Sequence, residues 1–188
     1  MIDLWTPKIY TLKGFVKESI LLGQKALDVG CGGRKLPGAT GMDIKGVPGV
    51  DVVHDANVTP WPFANDSFDL VLFNQALEHL EDIGKSLEEA RRVLKKDGRI
   101  VAQVPFFRSP DAHGDPGHRH VFNSHSLDFL PDSEFRVVGF WYGWPHRSGN
   151  PLRQLFKNFI HYFPNFYDKF FSCLIPVECL TWEIEVKK

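Results

Sequence analysis

Apolar and polar positions along this chain follow two rhythms, and where one gives way to the other the elements can be read. Ile9, Leu12, Phe15, Val16 and Ile20 recur at helical spacing with Gly23 as a stop, predicting an N-terminal helix over 9–22. A short apolar run over 25–29 reads as the first strand. Residues 39–44 read as a second, ending on Asp43, and 50–54 as a third, running into Asp55. The link 33–38 is too short for a full crossover helix, so the helix after the first strand is predicted to be short or missing. Residues 68–73 are almost continuously apolar, as a central strand covered on both faces should be, and Asn74-Gln75 ends them. Leu77, Leu80, Ile83, Leu87, Ala90, Val93 and Leu94 then keep a 3.6-residue period, with Lys96-Asp97-Gly98 as a cationic, glycine-closed helix end. Residues 100–104 and 135–142 give further strands. In 180–186, Thr181, Glu183 and Glu185 alternate with apolar neighbours, a pattern predicting a half-exposed edge strand. The long link before that strand fits either a parallel crossover or an excursion from a hairpin. Strands alternating with helical patterns predict an α/β fold, doubly wound around a mostly parallel sheet.

Composition narrows the class. With 188 residues, 43% of them hydrophobic and 16 of them Phe, the chain can bury one good core and is short for two. A formal charge of −1 supplies no basic field to gather nucleic acid, so no nucleic-acid partner is expected. Cys31, Cys173 and Cys179 make neither a disulfide framework nor a metal pair, which fits a reducing compartment. Asp3, Pro7 and Lys8 interrupt the opening apolar residues, and no uncharged run reaches spanning length. A soluble, cytoplasmic protein is the expectation.

The candidate chemistry begins where the first strand runs into Gly30-Cys31-Gly32-Gly33. Glycines allow positive φ and close backbone approach to a ligand, and a strand ending this way opens at the carboxyl edge of the sheet. The dinucleotide pattern G-x-G-x-x-G is not met, because the turn lacks a third spaced glycine. The ordered series ALDVGCGG, GMDI, VHDAN, PFANDSFDLVLFNQALEHLED and EEARRVLKKDGRIVAQVP resembles the class I S-adenosylmethionine-dependent methyltransferases of the small-molecule, type 11-like kind, over roughly residues 25–105. Lys96-Asp97-Gly98 stands where Pro-Gly-Gly is common in that family.

The resemblance implies a Rossmann-like seven-stranded sheet with an antiparallel last strand. It also implies a single methyltransferase domain over 1–188, with 144–178 a helical, aromatic-rich insertion. S-adenosyl-L-methionine would be the cofactor and S-adenosyl-L-homocysteine the product. Asp28 would face the cofactor's amino-acid end, and Gly30, Cys31 and Gly32 would give backbone contact. Asp43 would accept both ribose hydroxyls and Ile44 would pack on the adenine face. Asp55 and Ala56 would meet the adenine edge, and Asn74 and Gln75 would line the pocket near the reacting methyl. A cofactor-fold scaffold protein without catalysis is the alternative, because a fold alone does not fix chemistry.

Methyl transfer to a hydroxyl needs the acceptor held in line and its proton removed. The segment 111–120 packs His113, His118 and His120 beside Asp111 and Asp115, and Asp115-Pro116-Gly117-His118 resembles a segment at this place in small-molecule members of the family. His118 is the first candidate for a base or acceptor-orienting group, with His113 and His120 behind it, and a helix over 123–130 is expected next. The same loop reads equally as a lid in which Asp115 caps a turn and His118 bonds to backbone. His113, Asp115, His118 and His120 are suitable metal ligands, yet their spacing matches no familiar zinc signature, and no metal is assigned. His79 raises the same choice between cofactor contact and structural role. The histidines tilt the acceptor toward oxygen. Over 151–176, Leu152, Leu155, Phe156, Phe159, Ile160 and Phe163, then Phe166, Phe170, Phe171, Leu174 and Ile175, predict two amphipathic helices. They pack on the sheet, form a homodimer, or cap a hydrophobic or lipid-linked acceptor through peripheral membrane contact.

Overall fold

Strand β1 (Ala26–Val29) is buried along its whole length, which its apolar run requires, and it lies inside the sheet. In the computed structural model, which describes residues 23–143 and 150–188, the later strands are β2 (Thr40–Asp43), β3 (Val52–Val53), β4 (Phe68–Asn74), β5 (Leu94–Pro105), β6 (Phe135–Tyr142) and β7 (Cys179–Val186). They lie in the order β3-β2-β1-β4-β5-β7-β6. The neighbours from β3 to β5 are parallel, while β7 runs antiparallel to both β5 and β6. This is the doubly wound, Rossmann-like sheet with an antiparallel last strand. The helix expected over 9–22 lies outside the described residues.

The two-residue period of the strands sorts side chains between two cores. Leu27, Val71, Phe73, Ile100 and Ala102 join Leu87, Ala90 and Val93 of helix α1 (Ile83–Val93). Their alternate neighbours Ala26, Leu70, Leu72 and Val101 meet Leu36 and Ala39 on the other side. Between β1 and β2 there is only a 3-10 turn, Gly32–Arg34, so the crossover helix is indeed missing there.

Three expectations need correction. The helix read as continuous from Leu77 to Lys96 is a 3-10 turn at Leu77–His79 followed by α1, which Asp82 caps by accepting from the Lys85 amide at 2.9 Å. It ends at Val93 because Leu94 already pairs with Phe68 of β4. Lys95 to Gly98 form an irregularity inside β5, with Asp97 at φ 60°. The region 123–130 is a series of turns rather than a helix, its chain folded by Asn123, Ser126 and Asp128 bonding to their own neighbours. Strand β7 is not an edge: lying between β5 and β6, it buries Thr181 and Glu183. Their polar atoms have partners instead of water. Thr181 Oγ1 accepts from Gln103 at 3.3 Å and donates to the Gly143 carbonyl at 3.0 Å, and Glu183 pairs with Arg99.

The β6–β7 link is a long excursion from an antiparallel pair. It carries helix α2 (Pro151–Tyr162), capped by Asn150, then short helical pieces at Pro164–Phe166 and Tyr167–Phe171. Ile160 and Tyr167 are buried, and Asp168 ties the excursion down by accepting from Tyr142 Oη at 2.6 Å and Ser124 Oγ at 2.7 Å. Leu152, Leu155, Tyr162, Phe163, Phe170 and Leu174 are exposed among the described residues. No helix among the described residues is long and apolar enough to cross a membrane.

Candidate active site

A cavity of about 890 Å³ opens at the carboxyl ends of β1 and β4, in the size range of small-molecule sites. One wall is the glycine turn and the end of β4: Asp28, Gly30, Cys31 and Gly32, with Asn74 and Gln75. A second part of the lining brings Glu78, His79, Asp115 and His118 together from the Leu77–His79 turn and the 111–120 segment.

The glycine turn is shaped by contacts that forbid side chains in one place and leave room in another. Gly30 sits at φ 70° and donates to the Met42 carbonyl at 2.8 Å, and a Cβ there would come within 2.7 Å of Ala76 Cβ. Gly32 sits at φ 51°, and a Cβ there would meet nothing within 4 Å, so its backbone borders open cavity space. Its amide donates to Asp43 Oδ2 at 2.8 Å, which locks the turn to the end of β2. Asp28, 2% exposed, accepts from the Leu36 amide at 2.9 Å. Burial pushes its carboxyl up to about 6, against the pull of the Leu36 amide and of Lys35. Burial and the nearby Asp28 and Asp43 push the Cys31 thiol up to about 11, so it stays a neutral thiol. The cradle fits a cofactor with a charged amino-acid end: glycine backbone on one side, a buried carboxylate beneath, and space between.

Asp43, Ile44, Asp55 and Ala56 stand apart from that cavity wall. Asp43 accepts from Gly32 with one oxygen and from the Lys45 amide at 2.8 Å with the other, so each oxygen keeps one lone pair. Ile44 is 60% exposed at the end of β2. Asp55 Oδ1 takes both the amide and the side-chain NH₂ of Asn57, at 2.9 and 3.0 Å. The loop carrying Asp55 is braced by Glu89 of α1, which accepts from the Trp61 amide at 2.6 Å and from Arg92 at 2.7 Å. Burial alone would raise the Glu89 carboxyl, but Arg92 and the Trp61 amide together hold it below its ordinary range.

The histidines of 111–120 separate by their partners. His113 Nε2 meets the Phe107 carbonyl at 2.9 Å, and His120 Nε2 meets the Leu80 carbonyl at 2.8 Å; neither lines the cavity. His118 does, with Nδ1 at 3.3 Å from the Ala112 carbonyl. Asp115 closes a tight turn by accepting from the Gly117 amide at 2.7 Å, and that hydrogen bond holds its carboxyl below the usual range. His79 lies edge-on to His118, ring centres 4.7 Å apart, with Nδ1 at 3.2 Å from the Gly117 carbonyl. A Cβ at Gly117 would press on both Asp115 and His79, so glycine permits this approach. The four loop residues considered as metal ligands do not converge. The group that does, among the described residues, is Glu78, His79 and His118.

Glu78 was not singled out from the sequence. It is fully buried and lines the cavity, and neither carboxylate oxygen has a hydrogen-bond partner among the described residues. Burial pushes its carboxyl up to about 7, with Asp115 adding to the shift. The available signal was a glutamate inside the apolar run Ala76-Leu77-Glu78-His79-Leu80, just past a central strand. Gln103, Glu178 and Cys179 also line the cavity, and only the pairing of β7 with β5 puts the last two there.

A family model described as a methyltransferase domain matches residues 27–102. The uncharacterized methyltransferase YcgJ of Bacillus subtilis is 45% identical over 40 residues, 21% of this chain and 16% of YcgJ's own length. Its crystal structure shares the fold with a TM-score of 0.56 at 21% identity, covering 88% of this chain and 92% of that one. A SAM-dependent methyltransferase from Archaeoglobus fulgidus gives a TM-score of 0.59 at 18% identity over 94% and 93% of the two chains. The [4+2]-cyclase SpnF gives 0.59 at 17% identity, covering 94% of this chain and 79% of that one, so the fold also carries other chemistry. Segment 27–102 is thus similar to the methyltransferase-domain family, and the described chain shares the fold of these solved structures.

Proposed function

We propose that this protein transfers a methyl group from S-adenosylmethionine to a small-molecule acceptor, with oxygen as the acceptor atom. The observation that carries the reading is the pairing of a glycine cradle over buried Asp28 with the Glu78, His79 and His118 wall across one cavity. The cofactor supplies an electrophilic methyl on a sulfonium. The chain's own work is to hold the amino-acid end at Asp28 and the Gly30–Gly32 backbone. Asn74 and Gln75, in the cavity lining, would meet the methionine part, and Asp43, Ile44, Asp55 and Ala56, outside it, would meet the ribose and adenine.

His118 is assigned to the acceptor. Its Nδ1 faces a carbonyl, which can only accept, so in the neutral ring Nδ1 carries the hydrogen and Nε2 presents a lone pair. That lone pair orients an acceptor hydroxyl. His113 and His120, turned to carbonyls outside the cavity, are given a structural part instead.

The exposed apolar side of α2, with Arg153 beside Leu152 and Leu155, supports a hydrophobic acceptor presented at an anionic lipid surface. Phe156 is half-buried against Tyr167, so Leu152 and Leu155 are the residues to alter. Sedimentation with anionic liposomes should be lost in Leu152→Ser/Leu155→Ser, whereas a change in oligomeric state alone would assign this face to a second copy. Calorimetric titration with S-adenosylhomocysteine tests the core of the reading. One site per chain is expected, and absence of binding at about millimolar ligand would refute the enzyme in favour of a scaffold.

A further inference from the structure

We propose that Glu78, His79 and His118 form a binding site for one divalent transition-metal ion of the zinc, cobalt or iron class, open on its cavity side. One ligand atom from each residue lies within 4.8 Å of the other two. Around an ion bound at about 2.1 Å, tetrahedral ligands stand roughly 3.4 Å apart, so the side chains need close by no more than about 1.4 Å. Two imidazoles and a carboxylate are the ligand set that suits such ions and leaves positions free.

Three independent features point to a cation here. Both oxygens of Glu78 are buried without a partner among the described residues, where the other buried carboxylates, Asp28, Glu89 and Glu183, each have one. An unpartnered buried carboxylate is costly, and a bound cation removes the cost. Both histidines turn Nδ1 to a backbone carbonyl, Gly117 for His79 and Ala112 for His118. This fixes the tautomer that offers Nε2, the outer-shell arrangement metal-binding histidines use. Finally, the backbone holds the parts in register. The Arg119 amide donates to the Glu78 carbonyl at 2.7 Å, and that of His120 at 3.3 Å, laying the histidine segment on the glutamate's turn.

With two neutral imidazoles and one carboxylate the site keeps a net positive charge, and its free positions face the cavity. With the ion bound, His118 Nε2 would meet the acceptor through the ion rather than directly; an acceptor hydroxyl bound there would lose its proton to solvent more readily, and its oxygen would take the methyl as the carbon–sulfur bond breaks toward sulfur. That last role rests on the methyl-transfer reading; the ion site does not.

The test is titration of chelator-treated protein with Co²⁺, followed by visible absorption and equilibrium dialysis. Wild type should take up one ion per chain, with ligand-field bands that Zn²⁺ abolishes. Affinity should fall about tenfold or more in Glu78→Gln, His79→Gln and His118→Gln, while the surface variant His125→Gln retains it. Glu78→Gln should melt no lower than wild type without metal, because it removes an unpartnered buried carboxylate. Failure of wild type to bind Co²⁺ or Zn²⁺ stoichiometrically would overturn the site, as would all three variants binding like wild type. S-adenosylhomocysteine titration of the same samples separates the outcomes. Cofactor binding without metal uptake sinks the ion site alone, and metal uptake without cofactor binding supports it while sinking the methyl-transfer reading.

Discussion

The two walls of the cavity are built in opposite ways. On the glycine side, backbone does the work. Gly30 is fixed by lack of room against Ala76, Gly32 borders open space, and Asp43 pins the turn through one amide. On the histidine side, backbone carbonyls only steer side chains, and the chemistry lies in which ring nitrogen is left over. A wall of the first kind is specified by a few neighbouring residues. The second depends on segments far apart in sequence, Leu77–His79 and 111–120, meeting across the mouth of the sheet.

Substitution can break this contrast at its strongest point first. Gly30→Ala places a Cβ against Ala76 and forces an L side chain to positive φ, costing about 3 kcal/mol in stability. Calorimetry should then find no S-adenosylhomocysteine binding. A Gly30→Ala protein that binds normally would mean that the turn is not the cradle. His118→Asn should lower turnover about a hundredfold with cofactor affinity nearly unchanged. Equal losses in cofactor affinity and turnover would place His118 on the wrong wall. His113→Asn and His120→Asn should each cost about 1 kcal/mol through a lost carbonyl hydrogen bond, with turnover close to wild type, as urea denaturation and methyl-transfer assays can verify.

The smallest effect lies outside both walls. His161 donates from Nδ1 to the Lys157 carbonyl at 2.6 Å and accepts at Nε2 from the Tyr142 amide at 3.1 Å, so it must stay neutral. Burial holds its pKa below the ordinary histidine value. As pH falls below about 6.5 the unfolded chain therefore takes up a proton that the folded chain refuses, and stability declines. His161→Gln should flatten the fall in unfolding free energy between about pH 7 and pH 5. Identical slopes for the two proteins would remove His161 from the account.

Much of the fold was legible because the sheet's inner strands are nearly pure apolar blocks. The missing first crossover helix was legible too, since 33–38 holds too few residues to form one. Strand β7 misled because polar residues alternate along it; Thr181 and Glu183 face partners on β5 and the end of β6 rather than solvent, and alternation cannot distinguish the two. The end of α1 misled because Leu94 fits helical spacing as well as a strand, and only pairing with Phe68 decides. Among the site residues, Asp28, Gly30, Cys31, Gly32, Asn74, Gln75 and His118 line one cavity. All of these but His118 sit at strand ends that the apolar runs already mark. Glu78 carries no such mark, because a glutamate between strand and helix ordinarily reaches water.

Taken alone, the sequence determined that a strand ends in a glycine turn, that carboxylates close the next strands, and that histidines crowd a later segment. Those are local facts, set by backbone freedom and side-chain period. The tertiary structure decided which histidine faces the cavity and which are spent on carbonyls. It also decided that Glu78 is buried beside two of them with its oxygens unmet. The reason is that solvation and hydrogen-bond partners belong to the folded neighbourhood, and a residue's chemistry depends on the groups left unbonded there.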